Sequence, residues 1–175
     1  MVHLKWVYEM AEDVIFTRRS IRKYKPQPVP KETLEYILRA AMAAPSARNL
    51  QPWHFVVIDN REILNKIPDI QPYTKMLYEA PLAIVVCGDT KISEAYWVQD
   101  CSAATQNILL AAKNKGLGSV WCGIYPREKR VKALKELLKL PEHIVPLNVV
   151  AIGYPNETKP PVDRYDKAKI HYNGW

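Results

Sequence analysis

The segment 93–115 constrains the fold more than any other stretch of the chain. Trp97, Cys101, Ile108 and Leu109 supply bulk at helical spacing, and Ala103, Ala104, Ala111 and Ala112 supply small side chains. Between Cys101 and Ala112 a helix here is apolar around much of its surface. Such a helix must be buried on most sides, either in a core or against a second subunit. At 1.5 Å per residue it would span roughly 35 Å, the width of a domain. Gly116 is the expected C-terminal stop.

Four apolar runs surround that helix and read as strands: 53–59, 82–87, 118–124 and 145–152. Helices are expected over 3–17, 31–44, 61–67 and 126–140, and 68–78 reads as irregular. Pro26, Pro28 and Pro30 force an extended connector, and Pro30 is placed to open the second helix. Strands separated by helices of unequal size give an α/β-layered or α+β domain, and periodicity alone leaves strand direction open. No repeat or linker divides the 175 residues, so one domain is expected over 1–175, with 156–175 a polar tail. That tail ends in Ile170-His171-Tyr172-Asn173-Gly174-Trp175, aromatics that call for a docking surface.

A hydrophobic fraction of 48% with 25% charged residues excludes disorder. Three cysteines, odd in number and far apart, argue against a disulfide framework and a Cys-rich zinc site. The start Met1-Val2-His3-Leu4-Lys5-Trp6 has no apolar signal core, and no run is long enough to span a bilayer. A soluble, reduced, cytoplasmic protein is expected. The net charge of +7 favours anionic partners: a phosphorylated cofactor, an acidic substrate or nucleic acid.

The densest charge is in Arg18-Arg19-Ser20-Ile21-Arg22. Guanidinium forks and a hydroxyl suit phosphate oxygens, and Arg18 and Arg22 share a face if the turn is helical. The same residues also read as a solvated basic run or a nucleic-acid stripe. No Gly-rich dinucleotide turn, Walker loop or nucleophile elbow is present. The four histidines lack metal-ligand spacing, and His54, opening a strand among aromatics, reads as a structural ring. Cys122 beside Trp121 reads as a packed strand cysteine before a reactive thiol. Ser46, Asn49 and Gln51 lie in a loop bracketed by Pro45 and Pro52. Their donors and acceptors suit the edge of a planar heterocycle, and equally the stabilisation of a turn. Gly123, lacking a Cβ, lets backbone N–H groups come close to a ligand, and Arg164 is a further cation able to close on a phosphate.

In this order the pieces resemble the nitroreductase family of flavoproteins. The matching motifs are Arg18 through Tyr24, Ala44-Pro45-Ser46 with Asn49 through Phe55, and Asp100 through Asn107. Gly116 through Trp121 and Gly153-Tyr154-Pro155 with Arg164 complete the set. The resemblance implies bound FMN, an α+β fold with a mostly antiparallel central sheet flanked by helices, and the long helix at the interface of a homodimer. It implies that Arg18, Arg19, Ser20 and Arg22 hold the FMN phosphate and ribityl chain, with Arg164 completing the phosphate site. Pro45, Ser46 and Ala47 would reach the flavin from the partner subunit, with Asn49 and Gln51 supporting or facing the ring. Trp121, Cys122 and Gly123 would line the isoalloxazine, and Lys75 would lie near its pyrimidine edge. The tail would dock on the partner.

The activity so implied is FMN-dependent reduction of a small-molecule electron acceptor, a nitroaromatic, quinone or activated alkene, by NADH or NADPH with ping-pong kinetics. No side chain stands out as a proton donor. The rival readings are a nucleic-acid-binding basic domain and a flavin-binding module without turnover.

Overall fold

The computed structural model describes residues 13–175, so most of the expected helix 3–17 lies outside the described residues. Its last turn is present as α1, Val14–Thr17, whose first turn is capped by Asp13 accepting the Ile15 N–H at 2.7 Å. The elements that follow are α2 (Lys31–Met42), β1 (Trp53–Ile58), α3 (Arg61–Ile70), β2 (Leu82–Asp89), α4 (Trp97–Asn114), β3 (Gly118–Gly123), α5 (Glu128–Leu138) and β4 (Ile144–Gly153). Short 3-10 turns span Ala47–Asn49, Pro72–Tyr78 and Lys167–Lys169.

The four strands form one antiparallel sheet in the order β1-β2-β4-β3. All eight residues of β2 are buried, because both faces of the sheet are covered. Ala83, Val85 and Cys87 face a core shared with Leu64 and Ile67 of α3, Leu77, and Leu134 of α5. Leu82, Ile84 and Val86 face the opposite core, shared with Ile37 and Ala41 of α2 and with Cys101, Ala104, Ile108 and Ala112 of α4. The period-2 alternation of one apolar run therefore feeds two layers of helix. The domain is α+β, with a central antiparallel sheet flanked by helices, as the resemblance implies.

Element boundaries moved where local chemistry overrode periodicity. The long helix starts at Trp97, not at 93, because Asp89 Oδ1 accepts the N–H groups of Lys91 and Ile92 and forms a separate turn first. With 18 residues it is about 27 Å long. Gly116 sits just past its end with φ 73°, the left-handed position expected of it. Helix α3 continues through Pro68 to Ile70, since the hydrogen bond lost at Pro68 falls in the last turn, where burial of Leu64, Ile67 and Pro68 holds the helix. Pro126 lies outside α5, whose N-cap is the extended Arg127.

Two cross-links place the chain around β3. Ser20 forms a parallel bridge to Ser119, and Tyr24 an antiparallel one to Pro155. The buried Tyr24 hydroxyl donates to the Ile21 carbonyl at 2.7 Å, and burial raises its pKa well above the usual phenol value. Residues 18–24 are thereby laid along the outer edge of the sheet.

Candidate functional site

β3 is an edge strand, and its register determines which backbone groups are free. Gly123 pairs with Asn148, while the Ile124 N–H donates to Leu147 O at 3.0 Å. That pattern makes Gly123–Asn148 a non-hydrogen-bonded pair, so the N–H and C=O of Gly123, Trp121 and Ser119 point away from β4, toward the open edge. Two of these groups are taken. Ser119 O accepts the Ile21 N–H at 3.0 Å, and Gly123 O accepts Nε2 of Gln71 at 2.5 Å. Between those contacts the edge is open beside Trp121 and Gly123. A Cβ built on Gly123 would meet nothing within 4 Å.

This open edge borders a cavity of about 540 Å³ lined by Arg22, Lys75, Trp121, Cys122 and Gly123, together with Gln71, Tyr73 and Met76. The Cys122 thiol is pushed up to about 11, mainly by burial, with Arg22 pulling in the opposite direction. Its Sγ lies 3.7 Å from Tyr73 O. It is a packed wall residue and carries no thiolate near neutral pH.

At the other end of the stretch, Arg18, Arg19 and Arg164 line a cavity of about 840 Å³ with Ile15, Phe16 and the tail residues Val162 to Tyr165. Burial lowers the pKa of Arg18, and repulsion from Arg164 and Arg19 lowers it further. Arg18 Nε is buried and has no hydrogen-bond partner among the described residues. The only carboxylate in this wall among the described residues, Asp163, accepts the Tyr165 N–H at 2.9 Å through Oδ1. Three guanidinium groups in mutual repulsion, one with an orphaned donor, make a site for a compact anion.

Ser20 sits between the two cavities through its main chain, and its carbonyl accepts Lys159 Nζ at 2.6 Å. Glu157 accepts the Arg22 N–H at 2.5 Å and pairs with Lys159 at 3.3 Å. The backbone hydrogen bond from Arg22, then Lys159, hold its carboxyl below the usual glutamate range.

The loop with Pro45, Ser46, Ala47, Asn49 and Gln51 lines neither cavity. It precedes β1, at the same end of the sheet as Gly123 but with β2 and β4 between, about 14 Å across three strand spacings. Ser46 Oγ accepts the Gln51 N–H and Asn49 Oδ1 accepts Gln51 Nε2, both at 3.0 Å, so within one chain these side chains stabilise the turn. Arg48, Asn49 and Gln51 all have positive φ, 54°, 55° and 51°. Three left-handed non-glycine residues in four positions hold strain that the buried Asp100 helps to impose, its Oδ1 accepting the Ala47 N–H at 3.0 Å. Asn49 and Gln51 remain exposed.

Gln71, Glu157 and Lys159 were not anticipated, and Asp100 stood in a matching motif without a role. Each acts on a distant backbone group, and such contacts leave no pattern in sequence. His54 is not the hydrogen-bonded structural ring expected of it. Its side chain is 53% exposed, with Nε2 3.9 Å from Asp89 Oδ2. Among the described residues no group of His, Cys, Asp and Glu could hold a metal ion, and no helix is long and apolar enough to cross a membrane. Residues 161–175 are exposed throughout, including Tyr165, Tyr172 and Trp175, so among the described residues the tail's aromatics find no docking surface on their own chain.

Fold and site together define an α+β protein with a convergent anion socket beside an open strand edge. The nitroreductase family model matches residues 15–75 and 69–154. A Methanothermobacter thermautotrophicus protein named "Putative NADH dehydrogenase/NAD(P)H nitroreductase" is 50% identical over 165 residues, covering 93% of this chain and 86% of that protein. One of the same name from Archaeoglobus fulgidus is 52% identical over 168 residues, covering 93% and 97%. The solved FMN-dependent nitroreductase of Clostridium difficile R20291 superposes with a TM-score of 0.88 at 36% identity, covering 93% of this chain and 98% of that one. The chain belongs to the nitroreductase family.

Proposed function

We propose that this protein is an FMN-dependent NAD(P)H oxidoreductase that works as a homodimer and reduces nitroaromatics, quinones or activated alkenes. The observation that carries this reading is the triad Arg18, Arg19 and Arg164, with Arg18 Nε buried and unpartnered. These cations converge on one cavity and are not spread along a face, which suits a single phosphate and not an extended nucleic-acid strand. The residues present fit FMN: a cationic socket for its phosphate, the 18–22 stretch for the ribityl chain, and an open edge at Trp121 and Gly123 for its ring. Bound FMN would accept hydride from a reduced nicotinamide and deliver electrons to an acceptor, donor and acceptor occupying one pocket in turn.

The chain's own contributions follow from its geometry. Arg18, Arg19 and Arg164 bind and orient the phosphate. Arg22 and Lys75 keep the ring cavity positive, which favours a reduced, anionic cofactor. The Gly123 and Trp121 backbone offers unpaired N–H groups along the ring's path. Pro45, Ser46 and Ala47, outside both cavities of their own chain, would complete the site of the partner, with Asn49 and Gln51 on the same strained loop. The exposed tail would clasp that partner, and α4 would lie at the seam.

Purified protein tests this directly. It should be yellow, and NADH or NADPH should bleach it without oxygen. Colourless protein that rejects added FMN, and that binds DNA with a steep salt dependence, would overturn the reading in favour of the nucleic-acid alternative. Yellow protein that neither nicotinamide bleaches would leave a binding module without turnover.

A further inference from the structure

We propose that Gln71 is a positioning residue that fixes the backbone of Gly123 and thereby tunes how this protein holds oxidised against reduced flavin. The inference rests on the reading above and extends it to a residue outside the cluster of cations. Gln71 is 3% exposed, yet it belongs to no helix or strand; it caps the 3-10 turn Pro72–Tyr78. Both polar atoms of its amide are engaged in setting geometry. Oε1 accepts the Tyr73 N–H at 3.4 Å, and Nε2 donates to Gly123 O at 2.5 Å, across 52 positions of chain. Its own carbonyl accepts both the N–H of Thr74, at 2.9 Å, and the Thr74 hydroxyl, at 2.6 Å.

Gly123 is where such a constraint matters most. It is the last residue of an edge strand, it has no side chain to restrict its rotation, and its carbonyl faces away from β4. Without a donor on that carbonyl, the peptide after Gly123 is held only by the Ile124 N–H on Leu147 O. The preceding N–H shares a peptide plane with the Cys122 carbonyl, which the Cys122–Val149 pair ties to β4, so a freed Gly123 carbonyl acts on it by letting the strand end fray back from Ile124. Gln71 also joins the two walls of the cavity, since Tyr73, Lys75 and Met76 stand on the turn it caps while Trp121, Cys122 and Gly123 stand on β3. A preorganised N–H discriminates between two charge states of a ligand only while its direction is fixed.

Two substitutions separate this role from general stability. Gln71→Met keeps the length and removes the donor. Gln71→Glu keeps the shape and places a carboxylate against Gly123 O; once protonated, the carboxyl donates again. Three measurements are made on wild type and variants: apo-protein amide exchange at Ile124, whose N–H bonds Leu147 O from the same peptide as the Gly123 carbonyl, FMN dissociation constant by fluorescence, and midpoint potential of the bound flavin. Gln71→Met should speed Ile124 exchange at least tenfold and weaken FMN binding by about tenfold. It should also change the ratio of affinities for oxidised and reduced flavin by several-fold, where tenfold corresponds to about 30 mV. Gln71→Glu should match Gln71→Met at pH 8 and recover toward wild type as pH falls to about 5, a recovery that Gln71→Met lacks. Should both variants fold and keep wild-type exchange, affinity and potential, the proposal is wrong. It is also wrong if stability falls while the potential and its pH recovery stay unchanged. Failure of the functional reading looks different, since wild-type protein itself would then bind no FMN.

Discussion

Glu157 accepts the backbone N–H of Arg22 at 2.5 Å, joining two residues 135 positions apart. The contact straps the chain after β4 over the basic stretch, helped by the Asn156 N–H on Lys23 O at 2.9 Å and Lys159 Nζ on Ser20 O at 2.6 Å. The carboxylate is the ionised acceptor of this strap, and its folded pKa lies below its unfolded value. Its stabilisation is therefore complete above the unfolded glutamate pKa of about 4.3 and is lost as pH falls through the folded value. Glu157→Gln should cost about 1 kcal/mol in urea unfolding at pH 7, toward the low end because the side chain is partly solvated. The gap between variant and wild type should narrow as pH falls below about 4.3 and close below the folded value. A gap that does not narrow on acidification would show that charge plays no part.

Arg164 is expected to act with opposite signs in the free and loaded protein. It repels Arg18, a cost that a bound anion would offset. Arg164→Gln should raise the stability of FMN-free protein by about 0.5 kcal/mol. It should also weaken FMN binding tenfold or more, the loss of a charge-assisted contact of about 1.5–3 kcal/mol. Thermal melts with and without FMN measure both. A variant destabilised in both states would mean that Arg164 is structural.

Gly118 and Gly123 open and close the same strand and should respond differently to alanine. A Cβ at Gly118 would lie 2.7 Å from Ile21 Cβ, so Gly118→Ala should cost about 1–3 kcal/mol through overpacking. A Cβ at Gly123 meets nothing in the chain, so Gly123→Ala should leave the melt within about 0.5 kcal/mol of wild type. It should nonetheless lower FMN affinity at least tenfold if the ring takes that space as proposed. Normal FMN titration of Gly123→Ala would place the ring elsewhere.

Deleting Tyr165–Trp175 tests the tail. Tyr165, Tyr172 and Trp175 are 70%, 85% and 102% exposed, so the deletion removes little packing from its own chain. Monomer stability should hold, while sedimentation should show weaker self-association and dialysis a faster loss of FMN. A truncated protein that remains dimeric and yellow would refute the clasp.

The layered fold was legible because its signals are local and repeated. β2 is an unbroken apolar run, and α4 carries apolar residues on nearly every face between Cys101 and Ala112. The boundaries that moved did so for reasons of one or two hydrogen bonds, at Asp89 and Pro68, which periodicity does not weigh. Arg18, Arg19 and Arg22 stood out because they are crowded into five positions. Arg164 stood apart in sequence and meets Arg18 and Arg19, though not Arg22, through the path of the tail. Gln71 and Glu157 were invisible for a different reason. Each serves a main-chain group, and every residue has one, so nothing in the identity of Gly123 or Arg22 advertises its partner.

The gap along the rim of β3 has a consequence for solubility. Ile21 and Gln71 stopper the rim on either side, leaving bare hydrogen-bonding groups at Trp121 and Gly123 where a foreign strand can pair. A ligand lodged there would plug the last stretch of an adhesive border. Protein stripped of it should be the form that clumps.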